Sequence, residues 1–133
     1  MVEADFAEDL SPLLRRLFAA RGAQSSDDID LSMSSLLAPN LLHGIDQAVD
    51  LIIAAIESDA RILIVGDFDA DGATSCALAI RAFDAMGHSN VRFIVPNRFE
   101  YGYGLTPEIV ELAKQQNPSL ILTVYNGISS IEG

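Results

Sequence analysis

The stretch Ile62-Leu63-Ile64-Val65-Gly66-Asp67-Phe68-Asp69-Ala70-Asp71-Gly72 decides how the rest of the chain is read. An apolar run stops at a glycine, and three carboxylates then follow at every second position. In extended chain, alternate side chains point the same way, about 6–7 Å apart. Like charges packed that closely repel one another unless a cation sits among them. A hard divalent cation bound by oxygen ligands is the natural occupant. The stretch therefore reads as half of a metal site at the end of a strand, and the other half has to come from elsewhere in the chain.

Composition narrows the field. With 133 residues, half of them hydrophobic, the chain is long enough to bury a core of its own and fits one domain. No apolar run approaches the roughly 20 residues of a membrane span, and the acidic start Met1-Val2-Glu3-Ala4-Asp5 lacks a basic signal-peptide region. Those features predict a cytoplasmic protein. The lone Cys76 excludes an intrachain disulfide and a cysteine-built metal cluster, and its neighbours Ala73, Ala77 and Ile80 predict a buried structural thiol. Eight basic residues against nineteen acidic ones give a net charge of −11, which argues against tight binding of a polyanion by this chain alone.

Two regions differ in character. Residues 1–43 read as a helical leader: Ser11 caps a helix that begins at Pro12, carries Leu13, Leu14, Leu17 and Phe18, and closes at Gly22. Ser25-Ser26-Asp27-Asp28 caps a second short helix, Pro39-Asn40 breaks the segment after it, and His43 is a solvated or capping residue. Residues 44–133 are more regular. Ile45, Ala48, Val49, Ile52, Ala55 and Ile56 share a helical face. A strand over 61–65 is apolar after its first residue, as a strand buried on both faces requires. A helix over 72–86 ended by Gly87, a strand over 91–95, a helix from Thr106-Pro107 and a strand over 120–124 come next. Strand alternating with helix predicts an α/β fold with a parallel sheet, flanking helices and right-handed crossovers. Sites in such sheets form at the carboxyl ends of the strands. Those ends carry Asp67–Gly72, Pro96–Leu105 and Tyr125–Ser130, and the sheet looks cut short after the third strand.

Several readings compete for the carboxylates. An EF-hand loop begins D-x-D-x-D-G but needs a glutamate at its twelfth position, here Leu78, and follows a helix. A haloacid-dehalogenase-like phosphotransferase places its nucleophilic aspartate directly after the strand, whereas Gly66-Asp67-Phe68 intervenes before Asp69-Ala70-Asp71-Gly72. Asp71 taken alone reads as a helix N-cap, which leaves Asp67 and Asp69 without a capping duty. A P-loop is excluded because no GxxxxGK[ST] occurs.

Residues 64–75, Ile-Val-Gly-Asp-Phe-Asp-Ala-Asp-Gly-Ala-Thr-Ser, resemble the first motif of the DHH phosphoesterase superfamily in the form carried by the RecJ-type exonucleases. The likeness is collinear along nearly the whole chain. It includes Leu13-Leu14-Arg15-Arg16-Leu17 with Arg21-Gly22, then Val95-Pro96-Asn97-Arg98-Phe99-Glu100 with Gly102-Tyr103-Gly104-Leu105. It ends with Thr123-Val124 and Asn126-Gly127-Ile128-Ser129-Ser130. The resemblance implies metal-dependent hydrolysis of single-stranded DNA from its 5′ end, in DNA repair and recombination, with Mn²⁺ or Mg²⁺ as cofactor. It assigns Asp67, Asp69 and Asp71 to the catalytic motif. Asp67 and Asp69 are the implied metal ligands, and Asp71 with Gly72 forms the tight turn into the helix. Arg98 is a candidate contact for phosphate and Tyr103 a candidate stacking platform for a base.

The chain also departs from the family pattern. The second motif places a ligand aspartate before Asn126-Gly127, and this chain has Tyr125, a phenol that is neutral at pH 7. Tyr101 likewise stands where the family usually has aspartate, and Val65 where some relatives have histidine. No histidine follows His88, a residue read as surface loop, so the Asp-His-His motif is missing. The expectation is a truncated DHH phosphoesterase domain, inactive by itself. The alternative is a non-catalytic remnant that binds a metal or a protein.

Overall fold

The computed structural model describes residues 5–7, 9–124 and 130–133. The chain divides into two compact units, Met1–Ile45 and Asp46–Gly133.

In the first unit, helix α1 spans Pro12–Ala20, with Ser11 accepting a hydrogen bond from the Leu14 N–H and Pro12 in the first turn. Three single 3₁₀ turns come after it, at Ser26–Ile29, Met33–Ser35 and Pro39–Leu41. The first of them is held by a capping box between Ser25 and Asp28. Phe6 is buried and meets Phe18 of α1 with ring centroids 6.5 Å apart. The apolar stripe of α1 is otherwise largely exposed, Leu13 most of all. Asp30 accepts from the hydroxyl groups of Ser35 and Ser32 and the Ser32 N–H, which hold its carboxyl below the usual carboxylate range.

The second unit is built around strand β1, Ile62–Val65. Strands β2 (Val91–Ile94) and β3 (Leu120–Thr123) pair with it in parallel on either side, giving the order β2-β1-β3. Ile62 lies opposite Val91 and Leu120, and Val65 opposite Ile94 and Thr123. Each β1 side chain is fully buried, whereas the edge strands bury only part of theirs. The twofold period of the strand divides the core into two layers. Leu63 and Val65 pack against Ile109 and Ala113 of α5 (Pro107–Lys114). Ile62 packs on the opposite face against Ala55 of α2 (Ile45–Glu57) and Phe83 of α3 (Ala70–Ala85). The α/β architecture is the one that the alternation of elements predicts. Among the described residues no helix is long and apolar enough to cross a membrane.

Four local expectations change. The strands are one residue shorter than the apolar runs suggest, and β1 begins at Ile62. On the face predicted for α2, Ala55 is buried and Ile52 and Ile56 join the core, but Ala48 and Val49 are exposed. The segment 96–105 contains a one-turn helix, α4 (Arg98–Tyr101), capped by the Asn97 side chain, which accepts from Phe99 N–H. His88, expected on the surface, is buried. The C-terminus of α3 explains it. Gly87, at φ 79°, donates to the Asp84 carbonyl and His88 donates to the Phe83 carbonyl, both at 2.9 Å. That is a Schellman cap, whose last residue turns back onto the helix. The His88 ring therefore meets Phe83 edge-on at 6.0 Å.

Phe83 supports both the sheet and this cap. Phe83→Ala is expected to lower the unfolding free energy by about 3–5 kcal/mol in urea denaturation. A loss below about 1 kcal/mol would remove Phe83 from the core.

Candidate functional site

Beyond Val65 the chain leaves the sheet through Gly66, whose N–H still donates to the Ile94 carbonyl at 3.0 Å. A Cβ at Gly66 would stand 2.5 Å from the Cys76 sulfur. Cys76 is the buried structural thiol that its neighbours predict, and desolvation pushes its pKa up. At Gly72 a Cβ would collide with the Asp67 carbonyl oxygen and fall 2.6 Å from its nitrogen. Neither approach leaves room for a side chain, so the two glycines let the first turn of α3 lie flush against the loop. Asp67 is pinned there by its backbone.

The Asp67 side chain is only 12% exposed. Its Oδ1 accepts from the Phe68 N–H at 2.7 Å and from Arg98 Nη2 at 3.2 Å. Arg98 opens α4 and lies over two rings, its guanidinium carbon 4.9 Å from the Tyr103 centroid and 5.9 Å from that of Phe68. Arg98 Nε is buried and has no hydrogen-bond partner among the described residues. Asp67, Arg98 and Tyr103 thus come together, although they are distant in sequence. Phe68 joins them, a residue for which the alternating carboxylates gave no reason to look.

The other two carboxylates have different partners. Asp69 is the N-cap of α3, in extended conformation, with Oδ1 accepting from the Gly72 N–H at 2.8 Å. The capping duty expected of Asp71 therefore falls on Asp69. Asp71 is exposed in the first helical turn, where its charge faces the positive end of the helix dipole. The reason is that the chain turns helical at Ala70, so the twofold period that would align all three side chains ends at Asp69. Among the described residues, no three His, Cys, Asp or Glu side chains gather to hold a metal ion. Asp67 and Asp69 each keep one oxygen that accepts no hydrogen bond among the described residues. Oxygen donors of this kind suit a hard divalent cation, but two carboxylates supply only part of its shell.

Tyr101, where the resemblance leads one to expect aspartate, is half-buried against the cluster of Leu63, Val65, Ile109 and Ala113. Its carbonyl accepts from the Thr106 hydroxyl at 3.2 Å. Here the ring does core packing, which an aspartate cannot do. Next to it, Tyr103, Gly104, Leu105, Thr106, Ser130, Ile131 and Glu132 line an open cleft of about 430 Å³, in which Leu105 N–H donates to Ser130 Oγ. Tyr125, Asn126 and Gly127 lie outside the described residues.

A parallel α/β sheet with an aspartate pinned at the end of its central strand is the setting in which the family match falls. Residues 61–133 match the DHH family, N-terminal domain, and the chain belongs to that family. Over 130 residues it is 50% identical to the single-stranded-DNA-specific exonuclease RecJ of Salmonella typhimurium, covering 98% of this chain and 22% of the relative. A crystal structure of exonuclease RecJ bound to manganese shares 38% identity and a TM-score of 0.60 over 66% of this chain and 22% of that one. RecJ from Thermus thermophilus in complex with Mn²⁺ matches at 26% identity and a TM-score of 0.57, over 96% of this chain and 20% of that one. The chain spans about a fifth of the length of the curated relatives it matches. The haloacid-dehalogenase-like alternative is not favoured, and the helix that starts at Ala70 leaves no room for a twelve-residue calcium loop.

Two pairs of outcomes check this geometry. Asp69→Ala is expected to cost about 1 kcal/mol in thermal melts through the lost cap, and Asp71→Ala less than about 0.5 kcal/mol. Equal losses would contradict the assignment of the cap. Tyr101→Asp is expected to destabilise the chain by about 1–3 kcal/mol, because a carboxylate there faces apolar neighbours. An unchanged melting temperature would show that the ring contributes no packing.

Proposed function

We propose that this chain carries part of the phosphoesterase site of a RecJ-type exonuclease that hydrolyses single-stranded DNA from its 5′ end, and that by itself it is inactive. The observation that carries the reading is Asp67, a carboxylate shielded from solvent and pinned by the Gly72 approach at the end of β1, in a segment that matches the DHH family. Relatives with that segment are named single-stranded-DNA-specific exonucleases, and two solved ones hold manganese.

In this reading 1–43 is a leader and 44–133 belongs to the phosphoesterase domain, working in the cytoplasm in DNA repair and recombination. Asp67 and Asp69 hold Mn²⁺ or Mg²⁺ through their free oxygens. A loaded site supplies a polarised phosphoryl oxygen and an activated water. Asp71 with Gly72 sets the turn that keeps Asp67 in place. Arg98 contacts a phosphate of the substrate and Tyr103 stacks on a base. Tyr125 takes the place of a carboxylate ligand, and Asn126 and Gly127 are what remains of the second motif. With a net charge of −11 the chain alone grips DNA weakly.

A second reading is favoured by the absence of a three-ligand cluster among the described residues. Here the chain is a non-catalytic module that holds one cation weakly or engages a protein partner. Incubating the purified chain with 5′-labelled single-stranded DNA and Mn²⁺ tests the inactivity. No mononucleotide release is expected, from the chain or from its Tyr125→Asp variant. Release that disappears in Asp69→Ala would overturn the inactivity and establish the nuclease directly.

A further inference from the structure

The cation already present at Asp67 is Arg98. Its Nη2 lies 3.2 Å from Asp67 Oδ1, with the carboxylate 12% and the guanidinium side chain 31% exposed, so solvent screens the pair only in part. The guanidinium lies over the rings of Tyr103 and Phe68, and cation–π contacts of this kind favour a charged, weakly hydrated group such as arginine. Arg98 Nε is buried and has no hydrogen-bond partner among the described residues, so the contact with Asp67 is made through Nη2 alone there. A guanidinium near two rings and with one hydrogen bond to the carboxylate among the described residues is retained enough to neutralise Asp67 and loose enough to be displaced.

We propose that Arg98 is an exchangeable internal counter-ion for Asp67: it neutralises the carboxylate when no metal is bound and leaves it when a divalent cation binds. This rests on the reading of Asp67 as a metal ligand and adds a competition to it. Arg98 and a dication placed on the same carboxylate repel each other at a separation of a few Å. Arg98 therefore weakens metal binding in the chain, and metal binding frees the guanidinium while its aromatic seat stays in place. A purely supporting arginine, one that only aims Asp67, has the opposite effect on metal affinity.

Isothermal titration with Mn²⁺ on the full 133-residue chain distinguishes the two. Arg98→Gln is expected to bind Mn²⁺ roughly tenfold more tightly than the unmodified chain, while Arg98→Lys stays within about threefold of it because the charge is kept. Binding that appears only in Arg98→Gln also supports the competition. Equal or weaker binding by Arg98→Gln, with binding by the unmodified chain lost in Asp67→Asn, overturns the competition and leaves the metal site standing. Binding that survives Asp67→Asn, or no binding in any form, removes the metal site and the competition with it. The unmodified chain gives a second measurement that needs no variant. The Arg98 Nε–H proton is expected to exchange slowly with water and to speed up at least fivefold in saturating Mg²⁺. An exchange rate unaffected by bound Mg²⁺ overturns the displacement.

Discussion

Strand β1 has to satisfy two demands at once. Its four side chains are withdrawn completely from water on two faces, and its backbone is hydrogen bonded to a parallel neighbour on each edge. A parallel sheet can do this only if helices cover both faces, which is why α5 packs on one side and α2 with α3 on the other. The position of the loop after β1 is set by this burial. Once Val65 is fixed in the core, the next residues emerge at one place, at the carboxyl end of the central strand.

The geometry of that loop is shaped by steric contact more than by charge. Gly66 lies against Cys76, and Gly72 against the backbone of Asp67, at distances that no side chain tolerates. These approaches draw the start of α3 up to the loop and make Asp69 the residue that caps it. The capping geometry separates the three aspartates into distinct tasks: Asp67 shielded and paired with Arg98, Asp69 bonded to the helix, Asp71 in solvent. The electrostatic problem posed by three close carboxylates is relieved by a helix terminus and by a guanidinium.

Much of this was legible in sequence where a period or a cap reported local structure. The four-residue apolar run of β1, Thr106-Pro107 at the start of α5, Ser11-Pro12 at the start of α1 and the buried Cys76 all arise from patterns spanning one or two turns. The misreadings share a cause. Asp71 as the cap, the three aspartates on one side and His88 at the surface each depended on where a helix of neighbouring residues begins or turns back. A shift of two residues in the start of α3 exchanged the roles of Asp69 and Asp71, and a Schellman cap folded His88 inward.

By itself the sequence determined the fold class, the order of strands and helices along the chain and the DHH family motif, because hydrophobic period and short motifs are properties of neighbouring residues. Only the tertiary structure decided what the charged groups do. Arg98 is 31 residues from Asp67 in the chain, yet β2 and α4 carry it to the end of β1. Tyr101, which the family pattern presents as a missing carboxylate, proves to be a packed side chain of the core. Charge pairing and burial act through space, and the distances that govern them exist only once the sheet has brought its strand ends together.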